Sequence, residues 1–206
     1  NRKIKNMTLR NFNLHKFCLV MAKYLNRTSN ITQLISDASL KLKIKKQDVS
    51  LINEKYFPYG MKSYMLIIVD IVNEFLRKKR PKDFSNLRVN EKIKHLIFLR
   101  LQILNEIFDK KKLFFFISNP SNFFLSSEIL FKISDEIWWL AGDKSTDMNF
   151  YSKRIILMNI LSNSFTLFAF DNSQEHYKTQ KFIENQIKMV LRFGKLKKSL
   201  ENFISI

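Results

Sequence analysis

The side chains in this sequence that could do chemistry are few and scattered. Its three histidines, His15, His95 and His176, stand far apart. No H-E-x-x-H or E-x-x-H pair places two ligands on one helical face, so neither a zinc hydrolase nor a di-iron bundle is supported. The single cysteine, Cys18, excludes an intrachain disulfide and any cysteine-built metal site. Among Phe17, Leu19 and Val20 it reads as a buried thiol in a reducing compartment. Glycine-rich phosphate loops and the G-x-S-x-G elbow are missing. The carboxylates Asp135-Glu136 and Asp143/Asp147 remain as a conceivable acid–base pair. Neighbours at i and i+1 point to different sides of a helix, however, and solvated or capping roles account for all four. No catalytic residue, metal site or cofactor is predicted.

The elements that would carry these residues read as helices. With 3 Gly and 3 Pro in 206 residues there is little punctuation for hairpins. Leu14, Phe17, Cys18, Met21 and Leu25 share one face, and Ile31, Leu34, Ile35, Ala38 and Leu42 another, behind caps at Asn30 to Thr32. A third short helix around Gln47 to Lys55 ends at Pro58 and Gly60. Three such helices within about 45 residues form a helix-turn-helix-like unit. Longer helices are predicted over 61–79, 90–108, 124–141, 148–170 and 174–192, with Gly142 as a left-handed cap. The expected fold is all-α with about eight or nine helices. Its divisions are an N-terminal unit (1–58), a larger helical body (59–192) and an amphipathic tail (193–206). In the tail Phe193, Leu196, Leu200, Phe203 and Ile204 align beside lysines, as a membrane-facing helix or a packed one would arrange them.

Composition bounds the partners. A hydrophobic content of 46% is that of a folded protein, and the net charge of +18 attracts nucleic acid or an anionic membrane face. The cations are spread along a chain rich in Lys, Asn, Ile and Phe, so compositional drift accounts for much of the excess. No apolar run reaches the ~18 residues of a membrane span. The first residues, "NRKIKNMTLRNFN", carry no signal-type apolar core, and a start on Asn is expected of a trimmed or processed chain.

One segment is more specific. In "SDEIWWLAGDKSTDMNFYSKR" two tryptophans run into a glycine, a polar loop, two aromatics and two cations. Asp135-Glu136, Ile137, Trp138-Trp139, Ala141-Gly142-Asp143, Ser145-Thr146-Asp147, Asn149, Phe150-Tyr151 and Lys153-Arg154 strongly resemble the signature of a known family. It is the coenzyme Q (ubiquinone) biosynthesis lipid-binding accessory family of the coenzyme Q biosynthesis protein 9 type, which has a TetR-repressor-like fold. Phe150 departs from the usual Trp, keeping the ring and dropping the indole N–H. The stretches "RLQIL" (100–104), "NPSNFFLSSEIL" (119–130) and "FDNSQEHYKTQKFIENQIKMVLRFGK" also look familial, so the likeness covers roughly 90–195. The N-terminal part matches in layout only.

The resemblance implies a non-catalytic protein with a TetR-like helical body. Such a protein binds a polyprenylated quinone precursor or a phospholipid in an apolar pocket and presents it to the demethoxyubiquinone hydroxylase, a di-iron enzyme. It implies a docking patch at Ile137, Asp147, Phe150, Tyr151 and Arg154, with Gly142, Asp143, Ser145 and Thr146 fixing the loop. A homodimer is implied, peripheral on the cytoplasmic face of a bacterial inner membrane or the matrix face of the mitochondrial one. Exposing one five-carbon isoprene unit to water costs ~4 kcal/mol at about 0.8 per carbon, which is why a long tail needs a carrier. The alternative is a TetR-type DNA-binding regulator. Against it, the third helix carries Asp48 and Glu54 and lacks the residues usual for groove contact.

Overall fold

A computed structural model describes residues 12–25, 27–146 and 148–204, with side chains as far as Arg192. The described residues form helices joined by short turns. These are α1 (Leu14–Tyr24), α2 (Ile31–Lys41), α3 (Lys46–Tyr56), α4 (Met61–Lys78), α5 (Val89–Ile107), α6 (Lys110–Ile117), α7 (Phe123–Ala141), α8 (Met148–Phe170) and α9 (Tyr177–Ile204). The all-α expectation holds. The helix expected over 148–170, between the polar loop and "DNS", is found at those bounds, whereas α6 is an additional element.

Short polar side chains set the starts. The Asn13 carboxamide accepts from Lys16 N at 2.8 Å, and that of Asn30 from Thr32 N and Gln33 N at 3.0 and 3.3 Å. Asp109 opens α6 by accepting from Lys111 N and Lys112 N, both at 3.0 Å. Each such cap satisfies backbone donors that the first helical turn leaves without partners.

The contacts gather the chain into two units. The first takes the residues up to Lys79 together with Ile103–Ile129, and the second takes Arg80–Gln102 with Leu130 onward. In the first, α1 packs on α2 and α4, and α2 on α3. Its core holds Phe17, Cys18, Met21, Leu34, Ile35, Ile52, Tyr64 and Ile68. Burial pushes the Cys18 thiol up to about 12, so it is inert filling, and the Tyr64 hydroxyl donates to the Cys18 carbonyl at 3.3 Å. In the second unit α8 packs on α9. There Leu96, Ile97, Ile137, Leu157, Leu161, Phe168 and Ile183 are buried.

Candidate functional site

The turn between α7 and α8 is built first from backbone. Gly142 has φ +93°, a left-handed conformation that L side chains resist. Its N–H donates to the Trp139 carbonyl at 3.0 Å, and the Asp143 N–H reaches back to Trp138 at 2.9 Å. Those two bonds are the Schellman pattern, which satisfies the last carbonyls of α7. Gly142 is therefore the cap that the sequence predicted.

Charge then closes the turn. The Asp143 carboxylate accepts from the Ser145 hydroxyl at 2.8 and 2.7 Å, from Lys153 Nζ at 2.7 Å and from Arg154 at 3.3 Å. Arg154 also donates from Nε to Asp135 at 2.7 Å and to the Phe150 carbonyl at 3.0 Å. Its guanidinium lies 3.3 Å from the centre of the Phe150 ring. Burial would raise the Asp143 carboxyl, but hydrogen bonds from Lys153 and Ser145, the Lys153 charge and the Arg154 bond outweigh it. They hold the group at about 2. Spacing alone left Asp135, Asp143, Lys153 and Arg154 as separate charges, and the structure gathers them into one network pinning α8 to the end of α7. An acid and a cation at each side of a capped turn was the available signal.

Two expected patch residues therefore face inward. Ile137 is 0% exposed and sits in the core, so it offers a partner no surface. Arg154, 4% exposed, is bound by Asp135 and Asp143 and is structural. Phe150 is half-buried beneath that guanidinium, and Tyr151 is 56% exposed. Of the loop residues, Asp143 and Ser145 are tied as above and Thr146 is exposed. Asp147 lies outside the described residues. So do the side chains of Phe193, Leu196, Leu200, Phe203 and Ile204, although the α9 backbone runs helically through them. On α8, Met148, Tyr151 and Ile155 stand at helical spacing and are all more than half exposed, a stripe of which the sequence reading had only Tyr151.

The tryptophans separate as their adjacency requires. Trp139 is exposed. Trp138 is half-buried, with Nε1 donating to the Lys153 carbonyl at 3.1 Å. It forms one wall of an apolar groove of about 200 Å³, whose other walls include Ile93, Ile156, Ile160, Ile187 and Leu191 from α5, α8 and α9. Among the described residues, no cluster of three or more His, Cys, Asp or Glu is placed to hold a metal ion. None of their helices is long and apolar enough to cross a membrane.

Three short helices followed by longer ones, with no strand among the described residues, make a TetR-like fold. The structure is similar to that of the TetR transcriptional regulator from Nitrosomonas europaea ATCC 19718, with a TM-score of 0.61 over 85% of this chain and 97% of that one. At 14% identity that likeness shows the fold alone. The COQ9 family model matches residues 124–194, so the chain carries that family's signature across α7, the charged turn, α8 and about two thirds of α9. The resemblance read from the A-G-D segment is thereby borne out.

Curated relatives agree. The chain is 28% identical over 123 residues to the probable ubiquinone biosynthesis protein coq9, mitochondrial, of Dictyostelium discoideum, a match spanning 59% of this chain and 40% of that protein. It is 30% identical over 83 residues to the Homo sapiens ubiquinone biosynthesis protein COQ9, mitochondrial, covering 40% of this chain and 26% of that one. With the Schizosaccharomyces pombe counterpart the identity is 29% over 127 residues, covering 58% and 51%. The matched stretches thus span from about a quarter to about half of these relatives' lengths.

Proposed function

We propose that this protein is a non-catalytic, lipid-binding accessory protein of ubiquinone biosynthesis. It takes the prenyl tail of a quinone precursor, or a phospholipid chain, against the Trp138 groove and presents the cargo to the demethoxyubiquinone hydroxylase at a membrane. The family match over residues 124–194 carries this reading, because the matched segment holds both the charged turn and most of the groove's walls. The lining supports a hydrocarbon ligand, since apart from Asn90 and the Trp138 indole it is aliphatic and gives a polar ligand little to bind. The names of the relatives favour the matrix face of the mitochondrial inner membrane over a bacterial membrane. Mass spectrometry of the native protein, gently purified, is the test. Prenylated quinone or phospholipid should leave with it, and recovery in lipid-free form would overturn the reading.

The docking face is the α8 stripe of Met148, Tyr151 and Ile155. Exposed apolar and aromatic side chains at helical spacing are what a helix–helix interface covers. A second copy of the chain competes for such a face, and a homodimer belongs to the same proposal. Tyr151→Ala is the clean probe, because Phe150→Ala would also bare the Arg154 guanidinium. Pull-down of the hydroxylase should weaken with helicity and lipid content unchanged; unchanged pull-down removes Tyr151 from the interface.

A further inference from the structure

The first unit carries a surface that the cargo reading does not use. Along α6, Lys110-Lys111-Lys112 leads into Leu113-Phe114-Phe115-Phe116, and α7 opens on Phe123-Phe124 after a 3-10 turn at Pro120–Asn122. Leu113 is buried, whereas Phe115 is 64%, Phe123 64% and Phe124 85% exposed. The corner presenting them is tied down. The Asn119 carboxamide oxygen accepts from Ser121 N at 3.0 Å and from its hydroxyl at 2.7 Å. Asn122 Nδ2 donates to the Phe116 carbonyl at 2.7 Å, and the Ser126 hydroxyl to that of Ile117 at 2.8 Å. The Phe123 and Phe124 rings meet edge to face, with centroids 5.7 Å apart. A corner so braced holds its phenylalanines outward by construction.

Beside it lies a cleft of about 680 Å³, lined by Arg27, Lys111, Lys112, Phe115, Ser121 and Asn122 among others. Cationic groups with hydroxyl and amide donors are the chemistry that meets a phosphate ester. The acid among the lining residues, Asp109, has Oδ1 committed to the N–H groups of Lys111 and Lys112. An apolar wedge beside a basic cleft matches one surface in particular, that of an anionic bilayer. We propose that the α6–α7 corner is a lipid-surface contact. Phe115, Phe123 and Phe124 enter the head-group and upper acyl layer, while Arg27, Lys111 and Lys112 meet lipid phosphates in the cleft. This contact uses none of the residues of the Trp138 groove or the α8 stripe, and it stands whether or not the chain carries a quinone.

The test uses the full chain with Ser118→Cys, an exposed position beside the corner that neither braces it nor lines the cleft, labelled there with an environment-sensitive fluorophore. Cys18 is buried and its thiol stays protonated at neutral pH, so the label goes to the exposed position. Mixed phosphatidylcholine–phosphatidylglycerol vesicles should shift the emission to the blue, and lipid brominated on its acyl chains should quench it. Pure phosphatidylcholine vesicles should do far less, and inorganic phosphate should leave the emission in place. Phe123→Ser with Phe124→Ser should abolish the shift at unchanged helicity. Lys111→Glu with Lys112→Glu should lower partitioning by roughly fivefold or more for each charge altered. Protein that sediments with vesicles while its label keeps a water-like emission binds elsewhere, and the proposal fails. A shift that follows protein concentration without vesicles would make the corner a contact between copies, and fails it too.

Discussion

Asp143 answers to two cations and one hydroxyl, and its chemistry is set by which of them it keeps. Its carboxyl lies at about 2 against an ordinary 3.8, a difference worth about 2 kcal/mol at ~1.36 per unit. Because the folded value is the lower one, this stabilisation is complete above pH 3.8 and drains away as the pH falls toward 2. Asp143→Asn should therefore lose about 2 kcal/mol in denaturant unfolding at pH 7, with the gap to the parent closing toward pH 2. A gap independent of pH would mean that shape rather than charge holds the turn. Arg154→Met removes the shared cation, but Asp143 keeps Lys153 and Ser145 and Asp135 is half-exposed, so the cost should stay below the ~3–5 kcal/mol of a fully buried broken pair. Any effect of this variant on the proposed hydroxylase contact must accordingly be read against its stability. The motif told which residues matter here without telling which way they face. Arg154 holds the turn and Ile137 fills the core, and a list of matching positions cannot separate such roles from contact with a partner.

At the scale of elements, the helix ends were the most legible part of the sequence, and Gly142 the plainest. A Cβ at that position would meet nothing within 4 Å, so Gly142→Ala tests backbone conformation alone. It should cost about 1–2 kcal/mol, seen as a lower unfolding midpoint with native helicity retained. The corner between α8 and α9 was less legible. "DNS" announced a break, but α9 starts only at Tyr177, because Glu175 and His176 both take positive φ, at 49° and 54°. What holds that strained corner is Asp171, buried, which accepts from Ser173 N and its hydroxyl at 2.8 and 2.6 Å and from Thr179 N and its hydroxyl at 2.9 and 2.7 Å. Burial opposes its ionisation, yet the Ser173 and Thr179 bonds hold its carboxyl well below the usual range. Asp171→Ala should destabilise by roughly 2–3 kcal/mol at neutral pH and less in acid, where the parent's own bonds weaken. Helix α6 escaped the sequence reading for a physical reason. Its lysines and phenylalanines come in blocks rather than at helical spacing: Leu113 alone is fully buried, Phe114, Phe116 and Ile117 are half-buried and Phe115 is exposed, so no single face of a core selects a period.

For the whole molecule, the question is how the modest groove of the second unit would hold the long hydrocarbon proposed as its cargo. At about 200 Å³ the space beside Trp138 falls below the ~300–1,000 Å³ usual for ligand pockets, and one side is open. Because exposure to water would cost a tail of several isoprene units ~4 kcal/mol per unit, the proposed carrier must keep it covered as it leaves the bilayer. Such a tail would enter only if α5, α8 and α9 part. Helix α8 is suited to it, for its apolar residues lie on all sides: Leu157, Ile160 and Leu161 are buried, and Met148, Ile155, Ile156 and Phe170 are exposed. A helix of that composition can turn toward a hydrocarbon without exposing more apolar surface than it already does. Filling the groove should then block the cargo and leave the fold. Ile160→Trp places an indole between Trp138 and the α9 wall, and core overpacking of this kind costs about 1–3 kcal/mol. The variant should keep its helicity and unfold cooperatively, while native mass spectrometry shows the co-purifying lipid reduced to a small fraction of the parent's. Full lipid content in a well-folded variant would place the cargo away from Trp138, in a space that opens between other helices.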